Sequence, residues 1–124
     1  MNATLPQRGY LRNSTEFHLV YNLGVKYEDE LMAVFVRRND LNFHRLGVTV
    51  SRKFSGRAVH RNRAKRILRE AFRLNESNLA GLEHSYDWVL NAKRSLMGKK
   101  VCAPTNSFRG VVLRVRSDQV GSPS

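Results

Sequence analysis

Apolar residues along this 124-residue chain recur with two different periods, and the switches between them mark its elements. The stretch "NSTEFHLVYNLG" has helical spacing. Phe17 and Tyr21 form one i,i+4 pair, Leu19 and Leu23 another, and Val20 lies nearest the first. Asn13 or Ser14 is a candidate N-cap, Glu16 stands three after Asn13 as in a capping box, and Gly24 suits a C′ stop. A helix apolar on two sides has two surfaces to cover. Either both are core, or one faces a partner. "ELMAVFVRR", residues 30 to 38, reads as a strand apolar on both faces, with Met32, Val34 and Val36 on one and Leu31, Ala33 and Phe35 on the other. "KYEDE" before it predicts a short edge strand. After the turn-rich "NDLNFH", "RLGVTVSRK" alternates cleanly: Leu46, Val48 and Val50 are apolar, while Arg45, Gly47, Thr49, Ser51 and Lys53 are small, polar or basic. Such a strand packs a core on one side and meets water or a ligand on the other.

The next segment returns to the helical period. At about 100° per residue, Ala64, Ile67, Leu68, Ala71 and Phe72 share one arc, and Asn62, Lys65, Arg66, Arg69 and Arg73 the opposite one. Glu70 stands at i,i+4 from Arg66. Arg61 and Arg63 fall in the first turn, where cations oppose the helix dipole but suit an external anion. "YDWVLNAKR", residues 86 to 94, reads as another buried strand and "SLMGKKVCAPTNS" as a loop. "FRGVVLRVR" fits a helix through Phe108, Val111, Val112 and Val115, or a Val-rich strand; Pro104-Thr105-Asn106 before it favours the helix. Residues 1–12 and 117–124 read as loose tails of one domain.

Charge changes the picture at one place above all. Residues 61 to 70, "RNRAKRILRE", hold five cations, and like charges three or four residues apart repel by a few tenths of a kcal/mol each. The whole chain has 22 Lys plus Arg against 10 Asp plus Glu, a formal charge of +12 and a pI near 10.9. The run is a solvated face or a docking surface for a polyanion, and its uncompensated charge favours the second. The 41% hydrophobic content excludes a disordered polycation. The lone Cys102 excludes an intramolecular disulfide framework and a Cys-based zinc site. No run approaches the length of a membrane span, and "MNATLPQRGYLRN" has no apolar signal core, so the cytoplasm is the expected compartment.

Candidate catalytic groups are sparse. His18, His44, His60 and His84 are scattered, without metal-ligand spacing. Glu28, Asp29 and Glu30 follow one another on an edge strand or turn, which points them to alternate sides; two-metal phosphodiesterases need carboxylates converging from several elements. Neither a nucleophile elbow nor a nucleotide-binding glycine motif is present. The pattern is that of a binder.

The ordered set "LRNSTEFHLVYNLG", "RLGVTVSRKFSGRAVHRNRAKRILREAFR" and "YDWVLNAKR" resembles the protein subunit of bacterial ribonuclease P over roughly residues 5 to 94, with the Arg61-Asn62-Arg63 triplet at the centre of the most specific part. The resemblance implies an α+β sandwich in the order α-β-β-β-α-β-α, with a mixed four-stranded sheet and a left-handed βαβ crossover. It implies an accessory role in removing the 5′ leader from precursor tRNA, with an RNA subunit that is the ribozyme and holds the catalytic Mg²⁺, and no cofactor on the protein itself. By the same resemblance, Arg61, Asn62, Arg63, Lys65, Arg66 and Arg69, with Arg45, Arg52 and Lys53, face the RNA subunit. Phe17, Tyr21, Phe35, Thr49 and Ser51 form a cleft for the leader. Neither a membrane nor a small-molecule substrate is expected. The loop from Ser95 to Pro104 looks longer than the family's, and Gly110 interrupts the last segment. The competing readings are a general RNA-binding or ribosome-associated protein and a metal-dependent nuclease acting alone.

Overall fold

The computed structural model describes residues 9–118. The elements run α1 (Ser14–Leu23), β1 (Val25–Glu28), β2 (Met32–Arg38), β3 (Arg45–Thr49), α2 (Ala58–Arg73), α3 (Glu76–Ala80), β4 (Tyr86–Ala92) and α4 (Cys102–Asp118), with a 3₁₀ turn at Arg94–Leu96. The sheet order is β1-β2-β4-β3. β1 and β2 form an antiparallel hairpin, β2 and β4 are antiparallel, and β3 and β4 are parallel. The parallel pair requires a crossover, which α2 and α3 supply. β4 is therefore central: Leu90 stands opposite Val34 on one side and Val48 on the other.

The two sheet faces carry different layers. Met32, Val34, Val36, Leu46, Trp88 and Leu90 pack with the α2 stripe and with Phe108, Val111, Val112 and Val115 of α4. The helical reading of residues 108–115 holds, and the helix reaches back to Cys102, with Pro104 in its first turn, where a missing N–H costs nothing. On the opposite face α1 covers a smaller cluster of Leu11, Val20 and Val89, flanked by Phe17, Tyr21 and Phe35. The second apolar pair of α1 is not core: Leu19 and Leu23 are exposed.

Several expectations are corrected. Residues 9–12 are not a loose lead-in, since Tyr10 bridges to Leu46, Leu11 N donates to Leu46 O at 2.9 Å, and the Leu11 side chain is buried. Residues 117 and 118 complete α4. The rest of both expected tails, 1–8 and 119–124, lies outside the described residues. Gly24 does end α1, but its backbone is extended. Its reason is space, because a Cβ there would lie 2.4 Å from Val20 O and 2.8 Å from Val36 O. β3 stops at Thr49, so Ser51 and Lys53 belong to a turn closed by Phe54 N donating to Ser51 O at 3.0 Å.

One histidine ties the crossover to the sheet. His44 Nδ1 accepts from Tyr86 N at 3.0 Å and Trp88 Nε1 at 3.1 Å, so Nε2–H donates to Leu79 O at 3.1 Å. This fixes a neutral tautomer, and burial pushes the imidazole pKa below its ordinary value.

Candidate nucleic-acid interface

The first of two candidate surfaces is the groove between α1 and the sheet. Asn13 and Glu16 cap α1 reciprocally: Glu16 N donates to Asn13 Oδ1 at 2.9 Å, and Asn13 N to Glu16 Oε1 at 3.3 Å. The helix is thereby held with Phe17 and Tyr21 over the small, polar face of β3. The Phe17 ring lies against Gly47, where a Cβ would stand 2.5 Å from Phe17 Cζ; only glycine admits the ring so close. Tyr21 meets Phe35 edge to face, with centroids 4.8 Å apart and planes at 80°. The Tyr21 hydroxyl donates to Asn91 Oδ1 at 3.1 Å and lies 3.4 Å from Thr49 Oγ1. The Thr49 hydroxyl also donates to Asn91 Oδ1. Lys26 Nζ sits 5.7 Å from the Phe35 ring centre, a cation over an aromatic face.

Four of the five expected cleft residues thus come together: Phe17, Tyr21, Phe35 and Thr49. Ser51 does not join them, since it is exposed in the turn past β3. Asn91 and Lys26 went unnoticed in the sequence. Both share the groove face through strand register, Asn91 opposite Thr49 and Lys26 opposite Phe35, and a strand's pairing partner is not written in its own alternation.

The second surface is the outer face of α2. Asn62, Arg63, Arg66 and Arg69 are exposed and line an open groove with Val59 and His60. The helix begins at Ala58, earlier than its charge run suggests, so Arg61 closes the first turn and Arg63 lies in the second. Arg61 Nη1 donates to Ser55 O at 2.9 Å and so braces the preceding turn, where Arg52 and Lys53 are exposed. Lys65 is half-buried on the flank. Glu70 pairs with Arg73 at 2.5 Å, not with Arg66. Among the described residues, Arg63, Arg66 and Arg69 have neither an ion pair nor a hydrogen bond through their side chains, so their charge faces outward uncompensated. α2 also lacks a side-chain cap and any acid in its first turn.

The Arg45 guanidinium, expected on the basic surface, is engaged by partners within the fold. Its Nε and Nη2 donate to the two oxygens of the buried Asp87 at 2.8 and 2.7 Å, and Nη1 to Glu16 Oε2 at 2.8 Å. Asn39 Nδ2 adds a bond to Asp87 at 2.9 Å. The Asp87 hydrogen bonds raise the pKa of Arg45, and the backbone N–H of Arg12 leads the contacts that lower that of Glu16. Arg45 is a clamp between α1, β3 and β4. Asp29 is equally structural: Oδ1 accepts from Leu31 N at 2.9 Å and Met32 N at 3.1 Å, and Oδ2 accepts from the Ser107 hydroxyl. Glu28 pairs with Lys93 at 2.7 Å. Among the described residues, no three His, Cys, Asp or Glu side chains converge as a metal site, and no helix is long and apolar enough to cross a membrane.

A model of the family described as Ribonuclease P matches residues 5–116. The ribonuclease P protein component of Clostridium kluyveri is 37% identical over 102 residues, covering 82% of this chain and 89% of that protein. Its counterpart in Nitrosomonas europaea is 36% identical over 81 residues, covering 65% and 68%. Among solved structures, the RNase P protein from Thermotoga maritima superposes with a TM-score of 0.73 at 28% identity, covering 85% of this chain and 96% of that one. The Staphylococcus aureus RNase P protein gives 0.71 at 26% identity, covering 86% and 94%.

Proposed function

The chain belongs to the ribonuclease P protein family, and from that premise we infer how its two surfaces divide the work of the ribonucleoprotein. It acts as the protein subunit of the endoribonuclease that, together with an RNA subunit, removes the 5′ leader from precursor tRNA. In the proposed division, the α2 face carrying Asn62, Arg63, Arg66 and Arg69 holds the RNA subunit, with Arg52, Lys53 and Arg61 at its approach and Lys65 on its flank. The groove of Phe17, Tyr21, Phe35, Thr49 and Asn91 takes the single-stranded leader. Every base offers a π-face, so an aromatic groove holds a leader without demanding one sequence. The RNA subunit would hold the catalytic Mg²⁺, and the protein keeps substrate and ribozyme in register. The cytoplasm is the compartment this role assigns.

The observation that carries the division is the placement of the two surfaces on opposite faces of one sheet: aromatic and flanked by Lys26 under α1, cationic and uncompensated on α2. Two RNA segments can then be held at once without competing. Reconstitution tests it. Precursor tRNA is incubated with the protein, with ribonuclease P RNA, and with both at a low Mg²⁺ concentration. Cleavage raised only by the pair supports the reading. Cleavage by the protein alone would make it a free-standing nuclease, and binding without gain in cleavage a general RNA-binding protein.

A further inference from the structure

A second concavity adjoins the basic face of α2. Ala64, Ile67, Leu96 and Met97 line it, His60 and Arg63 form its rim, and it measures about 330 Å³. The same His60 and Arg63 border the open groove of Arg66 and Arg69, so slot and groove share an edge. The far wall is the segment after β4, in which Arg94, Lys99 and Lys100 are exposed on either side of Met97. Met97 itself is 41% exposed, an apolar side chain set among cations. His60 uses Nδ1 on the Ser55 hydroxyl at 3.0 Å, which leaves Nε2 for a polar edge at the slot mouth.

An apolar hollow in a polycationic surface is a poor place for a hydrophobic peptide with flanking basic residues and a good one for RNA. The phosphates meet the rim charges, while a base turned out of its stack brings a flat, weakly hydrated face to the walls. Thioether sulfur packs favourably against an aromatic ring. We propose that this slot takes one unpaired nucleobase of the RNA subunit, whose neighbouring phosphates lie along Arg63, Arg66 and Arg69. The inference rests on the assignment of α2 to the RNA subunit. It makes the long segment between β4 and α4 the second jaw of the RNA interface.

The test uses the full chain, ribonuclease P RNA and a series of salt concentrations. Met97→Ala should weaken binding roughly two- to twelve-fold, the range for losing one thioether–ring contact. The log–log salt slope should stay as it is, since Met97 neutralises no phosphate. Met97→Glu should lose more, because its carboxylate faces the phosphates. Arg63→Ala should instead flatten the slope by up to about one unit. Chemical probing should find one unpaired base protected by the unmodified protein and reactive with Met97→Ala. Unchanged affinity of both Met97 variants would overturn the proposal. So would a Met97→Ala loss accompanied by a flattened slope, or one confined to self-association of the chain, which would make a second copy the occupant. Failure of the unmodified protein to bind ribonuclease P RNA would instead remove the assignment of α2 on which the slot depends.

Discussion

Removing the Arg45 guanidinium strands a carboxylate beneath α1. Asp87 is 1% exposed, and a buried charge without its partner costs several kcal/mol. Arg45→Met should therefore destabilise the fold by about 3 kcal/mol, seen as a lower urea midpoint. Adding Asp87→Leu should recover most of that loss. A midpoint unmoved by Arg45→Met, with a flattened salt dependence of RNA binding, would return Arg45 to the RNA interface. Alternation along β3 placed Arg45 on the polar face but could not name Asp87 as its partner 42 residues away. His44 makes a pH-dependent contribution whose sign follows from its depressed pKa. The unfolded chain takes up a proton at the ordinary value near 6.5, while the folded chain resists until a lower pH. Stability from this group is thus complete above about pH 6.5 and is lost as pH falls from there towards the folded-state value. Urea titrations across that window should find the decline, and His44→Asn should reduce its slope while lowering stability throughout. A variant with the same pH slope as the parent would clear His44 of the effect.

The helices α1 and α2 were both legible because each spans enough turns for its apolar period to declare itself. All five residues of the predicted α2 stripe are buried. α3 was not, since five residues are too few. It is anchored by Asn75, a buried amide that donates to Ala71 O at 2.8 Å and Thr105 O at 3.0 Å. The use of each helix is open to separate measurement. Arg66→Ala and Arg69→Ala should each lower the log–log salt slope of RNA-subunit binding by up to about one unit, following counterion release. Affinity indifferent to salt between low and physiological ionic strength would show that α2 neutralises no phosphate. On α1, Phe17→Ala or Tyr21→Ala should weaken holoenzyme binding to precursor tRNA by roughly five- to 150-fold, with mature tRNA, which lacks a leader, nearly unaffected. Equal losses for both tRNAs, or a loss explained by a lower melting temperature, would make the aromatics part of the core alone. Phe17 is the stricter case, because its ring also fills the space above Gly47.

At the scale of the whole molecule, strand existence was legible and strand order was not. Each strand's two-residue period can be read in isolation, whereas the order β1-β2-β4-β3 arises from which edges meet, a property of no single segment. The groove is the clearest instance: its floor joins Thr49 to Asn91 and Phe35 to Lys26, pairs that exist only after the sheet has closed. That closure has a consequence for the chain as it is synthesised. β4 occupies the middle of the sheet but comes last among the strands, so the β1–β2 hairpin and β3 wait on the ribosome without the neighbour they share. An isolated hairpin is marginally stable at best in water, and pairings distant in sequence form slowly. A chain released at residue 84 should consequently be digested by dilute protease within the time the full chain survives, and should lack a cooperative thermal transition. A cooperative melt for that fragment would mean that the hairpin and α2 hold together unaided. Until residue 92 has cleared the exit tunnel, β2 and β3 lack the strand between them, and a strongly cationic, unclosed chain emerging beside ribosomal RNA is exposed to capture by the wrong nucleic acid.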